Sequence, residues 1–180
     1  MTSNLYFMPA IEKPDLVSPS VAAFLKNCQE VQVAEIDPAF AGGHEFCSHY
    51  QIPLTEGANC VIVEATRGEA SQFAACVAPV SFRIDFNGAV RKTLNARRVS
   101  LAPLDQVLKV TGMEFGSITP VGLPQEWIIL IDSRLVTSQH LVIGSGLLKS
   151  KLRLPTTELT SLPQAKVIEG LAVPSKHPVP

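Results

Sequence analysis

Residues Thr111–Gly122 read T-G-M-E-F-G-S-I-T-P-V-G, three glycines and a proline at fixed offsets. The stretch lies between a short helical pattern, Leu104–Val110, and a strongly apolar run, Trp127–Ile131. Glycine admits backbone conformations closed to other residues and lets a ligand approach the main chain. Neither flanking element can continue through such a segment, so it must be a loop held between a helix and a strand. Binding groups are often carried on loops fixed by a scaffold. A structural connection, whose glycines and proline serve turn geometry alone, has the same composition.

The remainder of the chain supplies the scaffold. Met1–Val17 has no clear period and is expected to form a loosely packed arm. Ser18-Pro19 reads as an N-cap followed by an N1 proline, and opens a helix through about Lys26. Val31–Ile36 alternates apolar and polar residues, as a half-buried strand does. Asp37-Pro38 repeats the cap-and-proline signal and opens a second helix toward Tyr50, weakened by Gly42-Gly43. Cys60–Ala65 and Phe73–Val80 are apolar, partly β-branched runs around the polar turn Thr66–Ala70, and read as adjacent core strands. A short helix at Val90–Asn95, a strand at Arg98–Leu101 and a helix near Leu104–Val110 precede the glycine loop. The strand Trp127–Asp132 follows it. Leu141–Ile143 and Leu147–Leu154 read as strands around Gly144-Ser145-Gly146. Pro155-Thr156 opens a last short helix before Lys166–Leu171, and Pro174–Pro180 reads as a frayed tail. This mixture indicates one mixed α/β (α+β) domain with a substantial sheet.

Composition narrows the function. A chain of 180 residues can bury a real core as one domain. Its net charge of −1 creates no global field toward nucleic acid or membrane. The cysteines at 28, 47, 60 and 76 never form C-x-x-C, which disfavours a zinc ribbon or a redox dithiol. With no secretory signal in view, they read as reduced thiols of a cytoplasmic protein. No apolar run approaches the roughly 20 residues that cross a bilayer. His44, Cys47 and His49 are the one candidate metal cluster. On a helix His44 and Cys47 share a face, His49 does not, and no fourth ligand is suggested, so no metal is expected.

The order of the elements carries more than any single motif. An apolar strand pair precedes a basic segment. A helix and the glycine loop follow, with Gly112, Gly116, Thr119, Pro120 and Gly122 in place. Then come a strand ending in Asp132 and a strand entering Gly144-Ser145-Gly146. Together these residues resemble the YbaK/EbsC family, domains related to the editing insertion of bacterial prolyl-tRNA synthetase. The resemblance spans roughly Ser18–Leu171, leaving residues 1–17 as an arm and 172–180 as a tail. It implies a mixed α/β domain around a curved, barrel-like sheet surrounded by short helices. It also implies hydrolysis of the ester of a mischarged aminoacyl-tRNA, without metal or organic cofactor. The implied partners are tRNA and an aminoacyl-tRNA synthetase.

One departure bears on activity. The family usually carries a pocket lysine at the start of the strand placed here at Cys60–Ala65, and this chain has Asn59. Lysine offers three donors and a charge; asparagine offers two donors, one acceptor and no charge. Losing a charged hydrogen bond to substrate costs about 1.5–3 kcal/mol. A smaller departure is Ser117, where many members have glycine.

Ester hydrolysis passes through a tetrahedral oxyanion that needs donors aimed at it. The candidate catalytic residues are Gly116 and Ser117, with neighbouring backbone N–H groups, and Thr119, which with Ser117 would orient water or the substrate amine. Candidate substrate-binding residues are Asn59, Ile118, Pro120, Asp132, Gly144, Ser145 and Gly146; Asp132 has a structural reading as well. No catalytic triad can be assembled. Two acid-free segments are basic, one with Arg91, Lys92, Arg97 and Arg98, the other with Arg134, Lys149, Lys151 and Arg153. Arg91, Lys92, Arg97, Arg98, Lys149 and Lys151 are the candidate contacts to tRNA phosphates. Trp127 opens a core strand and reads as packing. Two alternatives stand beside a trans-acting deacylase. One is a non-catalytic relative that binds aminoacyl-tRNA or an amino-acid derivative, favoured by Asn59. The other is a small-molecule ester or amide hydrolase.

Overall fold

The computed structural model describes residues 4–26, 28 and 30–175. Its strands are β1 (Met8–Pro9), β2 (Gln32–Glu35), β3 (Ala58–Arg67), β4 (Ala70–Pro79), β5 (Phe82–Ile84), β6 (Arg98–Leu101), β7 (Ile128–Asp132), β8 (His140–Gly144), β9 (Ser150–Pro155), β10 (Ala165–Ile168) and β11 (Ala172–Pro174). Its helices are α1 (Pro19–Leu25), α2 (Gly43–Tyr50), α3 (Arg91–Thr93), α4 (Leu104–Thr111) and α5 (Thr156–Thr160). A π-helical turn, Phe86–Val90, runs into α3.

The two apolar runs form a long antiparallel hairpin, β3–β4, closed at Gly68 with φ +62°. This is a conformation glycine adopts without strain. The hairpin is central to a five-stranded sheet of order β10-β7-β4-β3-β6, in which β7 runs parallel to both β4 and β10. A four-stranded sheet of order β1-β2-β9-β8 faces it, and β5 and β11 make a two-stranded ribbon.

Strand periodicity explains why β4 reads as a continuous apolar run. Ala75 and Val77 join a cluster with Ile129 and Ile131 of β7, Leu141 and Ile143 of β8, and Leu152 and Leu154 of β9. Ala74 and Cys76 point the other way, into a second cluster with Leu130, Val90, Leu94 and Leu171. Successive strand side chains alternate faces, and a strand covered on both sides must be apolar at every position. The same parity turns Val142 of β8 away from the space between the sheets, toward Phe46 and Cys47 of α2.

Most of the expected elements are present, though the strand expected from Leu147 starts only at Ser150, and three further segments differ. The segment expected as a loose arm is packed within its described part: β1 pairs with β2, and Ala10, Leu16 and Val17 are buried. The helix expected from Pro38 to Tyr50 is split. Asp37 accepts from Ala39 N–H to cap a 3₁₀ turn over Pro38–Phe40, and α2 starts afresh at Gly43. Pro174, expected in a frayed tail, pairs with Phe82, while residues 176–180 lie outside the described residues. The architecture is mixed α/β as expected, with the strands in three sheets and a bridge from Gly57, just before β3, to Val142 of β8.

Candidate active site

A cavity of about 540 Å³ opens where the two large sheets meet α2 and the glycine loop. The start of β3 (Ala58–Ile62), Ala41 to Gly43 at the head of α2, Leu101 and Ala102 before α4, and Leu104 and Val107 within it form one part of its wall. Phe115, Gly116, Ile118, Gly144 and Lys151 form the rest.

Main-chain approach explains the glycines there. The helix α4 ends at Gly112 with φ +66°, a left-handed C-terminal cap. Glu114 N–H then donates to Gly146 O at 2.8 Å, and Gly146 N–H donates to Ser117 O at 2.9 Å, zipping the two glycine segments together. A Cβ on Gly144 would lie 2.5 Å from Ser117 O, so no side chain fits at that contact. The Glu114 carboxylate accepts from Leu148 N–H at 2.6 Å and holds the turn after Gly146. Within the loop, Ser117 N–H is committed to Glu114 O. Gly116 and Ile118 N–H donate to no protein acceptor among the described residues.

The structure brings only some of the expected site residues together. Asn59, Gly116, Ile118 and Gly144 line the cavity. Asn59 packs its amide over Gly43, where an added Cβ would meet Oδ1 at 2.5 Å. Ser117 and Ser145 do not line it. Both are buried, and both donate their hydroxyls to Leu147 O, at 2.7 and 2.9 Å, so they fasten the two glycine segments. Gly146 also lies off the cavity, with φ +85° and its Cα against Ser18. Thr119 is fully buried, and its hydroxyl has no partner among the described residues. Pro120 lines a different groove, beside Ser20, Phe24 and Leu162.

Asp132 lies outside the cavity lining and is fully buried. It accepts from Arg134 N–H at 3.0 Å, from Arg134 Nη1 at 2.9 Å and from Ala172 N–H at 2.9 Å. These bonds tie the end of β7 to the following 3₁₀ turn and to β11, a structural position. Trp127 is buried with its ring edge-on to Phe73 at 5.1 Å. His49 stacks on Phe40 at 3.7 Å, and no three His, Cys, Asp or Glu residues cluster as metal ligands among the described residues.

Of the expected tRNA contacts, Arg91, Lys92, Arg97, Arg98 and Lys149 are exposed. Lys151 is not: it is 7% exposed and lines the cavity. The alternation of β9 explains this. Leu152 and Leu154 enter the core between the sheets, so Lys151 points to the opposite face, which α2 covers. Its Nζ lies 5.3 Å from the Phe46 ring centroid. Burial lowers its pKa from 10.5 to about 8, with the Cys47 thiol pulling slightly the other way. No carboxylate pairs with it; the salt bridge among the described residues is Arg134–Asp132.

The cysteines supply no activated nucleophile. Burial pushes Cys47 up to about 11 and Cys76 up to about 12. Burial, then the bond to Glu158, pushes Cys28 up to about 11. Cys60 lines the cavity, and its thiol is also pushed up, by burial and by Cys76 beside it. A reactive cysteine needs the opposite shift.

Sequence reasoning missed Lys151, Gly43 and Phe115 as cavity residues, and Glu114 as the acceptor that holds the turn after Gly146. Lys151 sits in the alternation K-S-K-L-R-L, which marks two faces of a strand without saying what covers either.

The fold and the cavity place the chain among known proteins. A family model, the aminoacyl-tRNA editing domain, matches residues 37–162, and the chain belongs to that family. The match takes in α2, the β3–β4 hairpin, the glycine loop, Gly144 and Lys151. A hypothetical protein, APE2540, has the same fold at a TM-score of 0.74 and 21% identity, covering 86% of this chain and 99% of its own. A structure described as a candidate trans-editing enzyme for prolyl-tRNA synthetase superposes at a TM-score of 0.72 and 18% identity, over 85% of this chain and 97% of its own. At these identities the two structures speak for the fold. No curated protein sequence matches the chain. No helix among the described residues is long and apolar enough to cross a membrane.

Proposed function

We propose that the chain is a trans-acting deacylase that hydrolyses the ester of a mischarged aminoacyl-tRNA, working beside an aminoacyl-tRNA synthetase. The observation that carries this reading is the cavity of about 540 Å³ that collects Asn59, Gly116, Ile118 and Gly144 inside the region matched to the editing family. Such a volume suits an aminoacyl group with part of the terminal nucleoside, since small-ligand sites run from about 300 to 1,000 Å³.

In this reading the acyl group enters the cavity and the ribose stays at its mouth. The Gly116 and Ile118 N–H groups, which have no protein acceptor among the described residues, stabilise the oxyanion as water adds to the acyl carbon. Gly144 keeps the facing wall at main-chain distance. Asn59 orients the substrate through its amide. Arg91, Lys92, Arg97, Arg98 and Lys149 are exposed and contact tRNA phosphates.

Asn59 in place of the usual lysine favours a second reading, a non-catalytic module that binds aminoacyl-tRNA or an amino-acid derivative. Incubating the purified protein with a panel of mischarged tRNAs, alongside a heat-denatured control, separates the two. Release of amino acid from at least one tRNA is expected. Turnover of none, with measurable tRNA binding, would overturn the enzyme.

A further inference from the structure

The cavity contains a cation from β9, whereas the family resemblance places its lysine on β3. We propose that Lys151 of β9 is the pocket lysine of this chain, donating to the acyl carbonyl oxygen of the substrate in place of the cation missing at Asn59. The proposal rests on the deacylase or aminoacyl-tRNA-binding reading of the same cavity.

Three observations carry it. Lys151 is 93% buried, the complement of its 7% exposure, yet lines the cavity and has no ion-pair partner among the described residues. Buried charges are ordinarily paired, so an ammonium left facing a cavity marks where a ligand's oxygen is received. Second, Lys151 is directly opposite Gly144 in the β8–β9 register. Gly144 in turn abuts Ser117 O and Ile118 O of the glycine loop. The ammonium and the loop's unpaired N–H groups therefore belong to one wall system. Third, Asn59 and Lys151 come from different sheets but line the same space. A cation lost from the β3 side can thus be supplied from the β9 side without changing the fold. Around Lys151, the ring of Phe46 and the thiol of Cys47 face it from α2, and Ala34 pairs with it on β2. None of these carries a negative charge that would hold the ammonium away from substrate.

The role is that of a donor. Water oxygen bonds to the acyl carbon, and the carbonyl π pair moves onto oxygen, where the Lys151 ammonium stabilises it. Collapse re-forms the carbonyl and breaks the bond to the terminal ribose oxygen. That oxygen takes a proton, and the water's proton leaves to solvent. The products are a free amino acid and a tRNA with a free terminal hydroxyl, and Lys151 keeps its protons throughout.

The test compares Lys151→Met, Lys151→Gln and the double variant Lys151→Met with Asn59→Lys. Three quantities are read: kcat/KM for deacylation, affinity for uncharged tRNA, and affinity for a non-hydrolysable amide-linked aminoacyl-adenosine. Thermal unfolding checks each fold, and Lys151→Gln serves if the Met variant does not fold. Lys151→Met is expected to lower kcat/KM about 10- to 100-fold, the loss of a charged hydrogen bond. Uncharged tRNA affinity is expected to stay within about twofold, and the double variant to recover at least about tenfold. Wild-type kcat/KM in Lys151→Met would overturn the proposal. So would a loss in tRNA affinity as large as the loss in kcat/KM, which would return Lys151 to a phosphate-binding role. If wild type hydrolyses no tRNA but binds the analogue, and Lys151→Met weakens that binding, the lysine assignment stands and the deacylase falls. Wild type that neither hydrolyses nor binds overturns both.

Discussion

Asp132 and Lys151 are two buried charges with opposite surroundings. Asp132, fully buried at the end of β7, accepts two backbone N–H groups and a guanidinium. Lys151, nearly as buried in β9, has an aromatic ring, a thiol and an open cavity. Both were candidates for function on sequence, Asp132 as a ligand to substrate and Lys151 as a contact to tRNA. The difference teaches that burial alone does not mark a site. A charge whose hydrogen bonds are complete is part of the frame; a charge left facing a cavity is available to a ligand.

The comparison breaks most readily at Asp132. Asp132→Ala removes a buried acceptor and strands the N–H groups of Ala172 and Arg134. A stability loss of about 2–4 kcal/mol is expected, reduced from a fully buried pair because the Arg134 side chain is 43% exposed. Denaturant titration measures it. A stable variant with deacylation abolished would put Asp132 in the chemistry instead.

Lys151→Met should move stability the other way, raising it by about 1–3 kcal/mol at neutral pH, because an unpaired ammonium no longer has to be buried. The pH dependence fixes the sign. Burial lowers the folded-state pKa from 10.5 to about 8, so between those values the unfolded chain binds more protons than the folded one. Wild-type stability then gains relative to the variant as pH rises through that window. Cys47, raised to about 11 in the fold, is present in both chains. Unfolding midpoints at pH 7 and 10 test this; a gap that does not close would mean that Lys151 is not desolvated.

Thr119 sharpens the contrast, because its hydroxyl is buried and unpartnered yet off the cavity. Thr119→Val is expected to leave deacylation unchanged and to be neutral or stabilising by up to about 1 kcal/mol. A tenfold fall in kcat/KM in a folded variant would show that substrate reaches this hydroxyl.

The exposed cations give the smallest stability effects. Arg91→Ala and Lys92→Ala should each change stability by less than about 0.5 kcal/mol. Each should weaken tRNA binding and flatten its salt dependence by about one phosphate contact. Equal salt slopes in variant and wild type would move the tRNA path to another face.

Much of the frame was legible because it rests on local rules. The Ser18-Pro19 start of α1 and the β3–β4 hairpin around Gly68 follow from short-range patterning. The strand Phe82–Ile84 and its partner Ala172–Pro174 were missed, since three-residue strands hold by pairing alone and leave little pattern. The split of the α2 region at Gly42-Gly43 was foreshadowed by its glycines. The reason for Gly43, contact with the Asn59 amide, was visible only in three dimensions.

At the site the division follows the same line. Sequence by itself determined that a glycine loop follows α4, that the strand β8 ends in a glycine-rich segment at Gly144–Gly146, and that Asn59 stands where a lysine is usual. Tertiary structure decided which of those residues share a cavity. Gly116, Ile118, Gly144 and Asn59 do; Ser117 and Ser145 instead fasten the glycine segments to each other. It also decided the fate of Lys149, Lys151 and Arg153. Lys149 precedes β9, and a period of two puts Lys151 and Arg153 on one face of it, but only α2, packed there from far along the chain, buries Lys151. Alternation is a local property of the chain, whereas what covers a face depends on long-range packing.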